Sequence, residues 1–123
     1  HKLYAVLRKS WSSSTAYKSC QSEWVSEDPS YGQCAITATL VYDMFGGSIH
    51  RIRVEGGGTH YFNKITGQYV DLTREQFDLY NIEVAYEPNE TMQREYCCKN
   101  LDTNARYRQL QRNIIAYLKN NED

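Results

Sequence analysis

Ser30-Tyr31-Gly32-Gln33-Cys34-Ala35-Ile36-Thr37-Ala38-Thr39-Leu40-Val41-Tyr42-Asp43-Met44-Phe45-Gly46-Gly47 is the stretch that decides the architecture of this chain. Cys34, Ala38, Val41 and Phe45 fall on one helical stripe, and Ala35, Ile36, Leu40 and Met44 widen it. A helix apolar over so much of its girth is covered on several sides, so this one is expected at the centre of the fold. Ser30 and Gln33 have the S-x-x-Q spacing of a capping box, and Gly46-Gly47 supplies the stop.

Upstream, Leu3, Val6, Leu7 and Trp11 recur at helical spacing and predict a first helix that ends in Ser12-Ser13-Ser14. Tyr17, Cys20 and Trp24 suggest a short second one, followed by the turn-rich Glu27-Asp28-Pro29-Ser30. Downstream the period changes to two. Ser48 to Val54 reads as a strand with His50, Ile52 and Val54 on one face and Ile49, Arg51 and Arg53 on the other. Gly56-Gly57-Gly58 breaks it, and Thr59 to Ile65 and Gln68 to Thr73 then flank Thr66-Gly67, a hairpin signal. Ile82, Val84 and Tyr86 alternate as a further strand before Pro88, and Tyr107, Leu110, Ile114, Tyr117 and Leu118 form the stripe of a C-terminal helix. Helices, then antiparallel strands, then a helix is an α+β order.

The chain has 123 residues, a length that suits one domain over residues 1–123. Its formal charge of −1 argues against a nucleic-acid coat, which needs clustered Lys and Arg. No apolar run is long enough to cross a bilayer and no signal-peptide pattern is visible, so a membrane role is not expected and the cytoplasm is. The sequence opens on His1 rather than Met, which reads as a trimmed start or a tag remnant. Of the four Cys, Cys97 and Cys98 are adjacent and too close for an ordinary mutual disulfide. An inter-segment bridge involving Cys20 and Cys34 stays open by arithmetic. Free thiols are the preferred reading, and neither CxxC nor HxxxH spacing supports zinc or another cofactor.

Chemistry centres on Cys34. Near the start of a helix, unpaired amides and the positive helix end favour its thiolate. The alternative is a small buried hydrophobe. A cysteine nucleophile needs a base. His50 lies on the Ile52/Val54 face and reads as a core histidine, whereas His60 begins the hairpin strand after the glycines. With Thr66-Gly67 as a two-residue loop, His60, Phe62, Tyr69, Asp71 and Thr73 share one face, and Asp71 lies diagonal to His60. A loop one residue longer flips that parity. Asp71 therefore reads either as an orienter of His60 or as a helix cap ahead of Leu72-Thr73-Arg74-Glu75-Gln76, where Thr73 and Gln76 also have capping-box spacing. Gln33 is a candidate oxyanion donor or a cap, and the Cys34 backbone N–H is the safer donor. Asn63 points to the opposite hairpin face and reads as structural, and Trp11, Trp24 and Tyr31 are either cleft wall or core.

Pro29-Ser30-Tyr31-Gly32-Gln33-Cys34-Ala35-Ile36-Thr37-Ala38, Phe45-Gly46-Gly47, His60-Tyr61-Phe62-Asn63, Asp71-Leu72-Thr73-Arg74-Glu75-Gln76-Phe77 and Arg106-Tyr107-Arg108-Gln109-Leu110 together resemble the bacterial YunG-like family. The resemblance covers most of the chain in order. It implies a fold similar to papain-like and transglutaminase-like cysteine enzymes, with a Cys–His–Asp set at Cys34, His60 and Asp71. Phe62 stands where Trp is expected, which bears on pocket shape. His50 is outside the shared motif. The resulting expectation is an α+β domain with a Cys-bearing central helix on an antiparallel sheet. Its expected function is a cofactor-free thiol hydrolase or acyltransferase on an amide or peptide-like bond, in a peptide or small molecule. The alternative is a non-catalytic binding or redox-regulatory module on the same scaffold.

Overall fold

In the computed structural model, which describes residues 2–54 and 58–120, the apolar girth of the quoted stretch has its predicted consequence over the middle of the helix. It does not at the helix end, where Met44 and Phe45 run past the covering layers and are about half exposed. Helix α2 (Cys34–Phe45) buries the continuous run Ile36 to Val41, because a different layer covers each of its sides. One side meets α1 (Lys2–Ser10) and α5 (Leu101–Asn120), where Leu3, Leu7, Trp11, Ile36, Leu40, Val41, Tyr107 and Leu110 form the largest core cluster. The other side meets a four-stranded antiparallel sheet through Ala38, which packs with Ile49 and Met92.

The sheet has the order β3-β2-β1-β4, built from β1 (Ser48–Val54), β2 (Gly58–Ile65), β3 (Gln68–Val70) and β4 (Glu90–Met92). Pairing of Ile65 with Gln68 makes Thr66-Gly67 the two-residue turn that the sequence predicts. Thr66 and Gly67 take φ of 50° and 80°, the primed-turn backbone that matches strand twist. Alternation along β1 and β2 gives the sheet two different faces. Ile49, Tyr61 and Asn63 look toward α2, and Asn63 Nδ2 donates to the Ala38 carbonyl at 2.9 Å, so Asn63 is the structural residue that its face implied. Ile52, Val54 and Phe62 look the other way, onto Phe77 and the half-buried Tyr69, Ile82, Val84 and Tyr86.

Several boundaries differ from expectation. Helix α2 starts at Cys34 rather than after Ser30, because Gly32 takes φ +75° and Gln33 lies outside helical geometry. The expected Ser30/Gln33 capping box is therefore not formed. The second helix is a 3₁₀ segment (Lys18–Glu23). Strand β3 stops at Val70, three residues short of Thr73. Ile82, Val84 and Tyr86 do alternate in burial, but they have no strand partner. The edge strand is formed instead by Glu90–Met92, past Pro88, with α3 (Glu75–Asp78) and α4 (Arg94–Cys98) flanking this region in the chain. His1, the glycines Gly56 and Gly57, and the Cys97 and Cys98 thiols lie outside the described residues.

Gly47 shows how closely α2 is docked on the hairpin. Its φ is +77°, and an added Cβ would collide with the Lys64 carbonyl oxygen on β2. Gly46 has a similar φ of +79° but meets nothing within 4 Å. Gly47→Ala should lower stability by roughly 2–4 kcal/mol in urea denaturation, combining backbone strain and overpacking. Gly46→Ala should cost distinctly less. Equal losses would mean that β2 yields to the methyl group and that the close approach is unimportant.

Candidate functional site

Three segments converge at the N-terminal end of α2. The first is the turn from Asp28 to Gln33, which delivers Cys34 to the helix start. Gly32 is essential to its shape, since a Cβ there would sit 2.9 Å from that of Cys20. The second is β2, which carries His60. The third is the chain after β3, which carries Asp71. Two bonds join the first segment to the third. Ser30 Oγ donates to the Thr73 carbonyl at 3.2 Å, and the Gly32 N–H donates to Gln76 Oε1 at 3.4 Å.

His60 is 1% exposed, and its Nε2 lies 2.7 Å from Asp71 Oδ2. Phe77 stands edge-on to the imidazole at 4.8 Å between centroids, and Phe62 stacks beside it at 6.3 Å. Burial on its own would disfavour the imidazolium. Burial is the largest single influence, but the hydrogen bonds to Asp71 and Cys34 and the charges of both together outweigh it, and the ring is raised from 6.5 to about 9. The other ring nitrogen, Nδ1, is buried without a partner of ordinary hydrogen-bond geometry. With Nε2 held by Asp71, Nδ1 is the nitrogen left for the thiol, in the loose geometry common before substrate tightens a site.

Cys34 is partly open to solvent although closely surrounded. Burial pushes its thiol up. The hydrogen bond and positive charge of His60, with a backbone hydrogen bond at Tyr61, outweigh that and the Asp71 carboxylate, leaving the thiol below its ordinary value. The structure thus brings Cys34, His60 and Asp71 together, as the hairpin parity implied for the last two.

The two readings of Asp71 prove compatible, because its oxygens are divided. Oδ1 accepts from the Thr73 backbone N–H and hydroxyl, each at 3.3 Å, and so closes a local turn. Oδ2 faces His60. Asp71 is not the cap of α3, whose N-cap position is Arg74, and Gln76 Nε2 donates to the Thr73 carbonyl at 3.0 Å instead of completing a capping box. Oδ2 also accepts a hydrogen bond of 2.8 Å from the Tyr86 hydroxyl. In sequence, Tyr86 shows only the alternation of a strand. Its half-buried place in that alternation was the available signal, but nothing local pointed its hydroxyl at Asp71.

Other candidates are assigned elsewhere. Gln33 is fully buried, with Oε1 accepting from Thr15 Oγ1 at 2.7 Å and Nε2 donating to the Ser12 carbonyl at 3.0 Å. Gln33 thus holds the N-cap position of α2 without a side-chain cap bond; its side chain braces the segment after α1 and is not free to meet a substrate oxygen. His50 is a core histidine, held by Ser48 Oγ at 2.7 Å and Asn89 Oδ1 at 2.9 Å. Trp11 belongs to the three-helix core and donates to Thr37 Oγ1, whereas Trp24 donates to the Pro29 carbonyl and Tyr31 lies half-buried beside Cys20. Asp28, in the same turn as Tyr31, carries in sequence only a turn signal. It is 4% exposed, its Oδ1 has no hydrogen-bond partner, and burial followed by the Glu75 charge raises its pKa.

The model of the family described as YunG protein matches residues 1–119, and the chain belongs to that family. It is similar to the "Uncharacterized protein YunG" of Bacillus subtilis (strain 168), 42% identical over 72 residues. Those residues make up 58% of this chain and 57% of that protein, so the matched segment spans little more than half of the relative. No solved structure matches.

The electrostatics of His60 can be read directly by NMR titration of its ring. The wild-type imidazole should titrate near pH 9 because Asp71 holds its proton. In Asp71→Asn the charge disappears while burial stays, so the ring should titrate toward or below 6.5. A titration unchanged by that substitution would show that Asp71 does not control the ring.

Proposed function

We propose that this member of the YunG family is a thiol hydrolase or acyltransferase on amide or peptide-like bonds, working through Cys34, His60 and Asp71. The observation that carries the reading is a buried histidine with Asp71 on Nε2 and a partly open thiol of lowered pKa as its other partner. This is the nucleophile–base–orienter set that acyl transfer requires. A likeness to papain-like and transglutaminase-like enzymes is part of the same proposal and rests on the helix-borne Cys and strand-borne His.

In the proposed reaction the Cys34 thiolate attacks the carbonyl carbon, forming a C–S bond while the carbonyl electrons move to oxygen. The Cys34 backbone N–H, at the start of α2, is the donor nearest to hand for that oxyanion. The His60 imidazolium gives its proton to the departing nitrogen as the C–N bond breaks, leaving a thioester on Cys34 and a neutral ring. Neutral His60 then takes a proton from water, or from an acceptor amine, as that group attacks the thioester carbonyl and the C–S bond breaks, which restores the Cys34 thiolate and the imidazolium. Asp71 does not exchange the proton. It fixes the ring and stabilises each imidazolium stage.

Alkylation separates an activated cysteine from an exposed one. Because His60 is raised to about 9 and the Cys34 thiol is held below its ordinary value, both shifts favour the thiolate–imidazolium pair over the neutral one. Iodoacetamide should therefore label Cys34 before the other Cys at pH 6–7, read by peptide mass spectrometry. His60→Ala should slow that labelling by about tenfold or more and move its onset to higher pH. Asp71→Asn should act in the same direction but less, and His50→Ala should leave the profile in place. Incubation with an amide and ester panel should leave an acyl adduct on Cys34 that is absent in Cys34→Ala. Preferential labelling without any adduct would favour the binding or redox module, and labelling indifferent to His60 would end the enzyme reading.

A further inference from the structure

The far end of α2, roughly 16 Å along the helix from Cys34, presents a second feature. Helix α5 has 20 residues, but its fully buried ones stop at Leu110. Its last turns run past the core and leave Ile115 62% and Leu118 51% exposed. Facing them, Met44 is 55% and Phe45 50% exposed at the end of α2. With Val6 and Ile114, these side chains line a groove of about 750 Å³ between α1, the end of α2 and α5. Large apolar side chains left open in one recess mark an interaction site rather than scattered surface exposure.

The charges on this groove restrict what can occupy it. Lys2 from α1 and Arg108 and Arg112 from α5 contribute to its lining, and among the described residues no Asp or Glu does. The local balance is thus positive on a chain whose formal net charge is −1. A second copy docked face to face would set these cations against their own counterparts, a costly arrangement. A bilayer is engaged by a helix face that projects into it, whereas here the apolar surface is recessed between helices. A recess walled by three helices and lined by large apolar side chains suits the apolar face of an amphipathic helix.

We propose that this groove docks an amphipathic helix of a partner protein, whose apolar face fills it and whose flanks carry Asp or Glu opposite Lys2, Arg108 and Arg112. The site is independent of Cys34 and stands whether or not the chain is an enzyme.

The test uses the intact protein and two synthetic helical peptides with the same Leu/Ala face, flanked by Glu in one and by Lys in the other. Fluorescence anisotropy should show saturable binding of the Glu peptide, with the Lys peptide at least about tenfold weaker. Backbone amide shifts should map the Glu peptide to the end of α2 and the second half of α5. Arg108→Glu with Arg112→Glu should reverse the preference, and Ile115→Ala with Leu118→Ala should weaken binding about tenfold while circular dichroism stays unchanged. These positions are exposed or half-exposed, and the wild-type charge comparison and shift map decide the matter even where a variant misfolds. Four results would each overturn the proposal: no saturable binding, equal binding of the two peptides, shifts mapped elsewhere, or self-association through this face in sedimentation that Ile115→Ala removes. Flotation with anionic vesicles in place of peptide binding would reassign the surface to a membrane and overturn it equally.

Discussion

The hydrogen bond between His60 Nε2 and Asp71 Oδ2 is the contact on which the arrangement of this protein turns, with side-chain exposures of 1% and 5% for its two partners. A carboxylate and an imidazole taken out of water need each other, because either one left alone is penalised by desolvation. The pair can form only if β2 and the chain beyond β3 present those residues on one face. That condition is met by the two-residue turn at Thr66-Gly67, since one residue more would send Asp71 to the face that α2 covers. A small piece of turn geometry thereby fixes the phase of a buried polar pair. The surrounding rings of Phe62 and Phe77 then exclude the water that would weaken it.

Asp71 also answers the question of how an extended segment stays in place without a strand partner. Residues 82–87 run beside the sheet with Ile82, Val84 and Tyr86 turned inward, but form no ladder with it. Their attachment is by side chain. Tyr86 stacks on Tyr69 at 5.6 Å, meets Phe62 edge-on at 4.9 Å and gives its hydroxyl proton to Asp71. Asn89 Nδ2 donates to the Tyr86 carbonyl at 2.9 Å, and its Oδ1 faces His50. The amide orientation of Asn89 is thus set by a carbonyl that only accepts, which leaves the His50 Nδ1 proton directed to Oδ1. One network consequently runs from β1 through this segment to the candidate site, and the packing of Phe62 between the two histidine rings follows the same line.

What could be read from sequence was what depended on period and on a short turn. The girth of α2, the parity of the hairpin and the faces of β1 all follow from spacings of two or three to four residues, which the chain carries locally. Elements decided by long-range partners were not legible. Strand β4 has only three residues and exists because Ile49, His50 and Arg51 leave an edge for it to pair with. The helix start at Cys34 is set by Gly32, whose positive φ is enforced by the approach of Cys20 and by the Tyr17 N–H donating to the Gly32 carbonyl at 2.8 Å. A capping-box spacing at Ser30 and Gln33 carried no information about either contact. Both side chains were instead drawn into tertiary bonds, Ser30 to the Thr73 carbonyl and Gln33 to Ser12 and Thr15.

The fate of Gln33 bears on the chemistry that the site can support. With both ends of its amide satisfied in the interior, it cannot turn toward a substrate oxygen without giving up its bonds to the Ser12 carbonyl and the Thr15 hydroxyl. Thr15 is further anchored, since Arg106 Nη1 donates to its carbonyl at 3.1 Å from a guanidinium only 4% exposed. The brace therefore links α5 to the turn that delivers Cys34, and moving it would disturb both. The oxyanion donors that the proposed reaction would use are main-chain amides of the first turn of α2 from Cys34 onward, which lack partners within the helix, whereas the Gln33 N–H already donates to the Ser30 carbonyl at 3.1 Å. Those amides lie on the same short turn as the thiol. Nucleophile and oxyanion donor would accordingly be positioned together by Gly32 and the Gln33 brace, while His60 and Asp71 are positioned separately by the hairpin. The bonds from Ser30 and Gly32 to Thr73 and Gln76 are what hold these two halves in register.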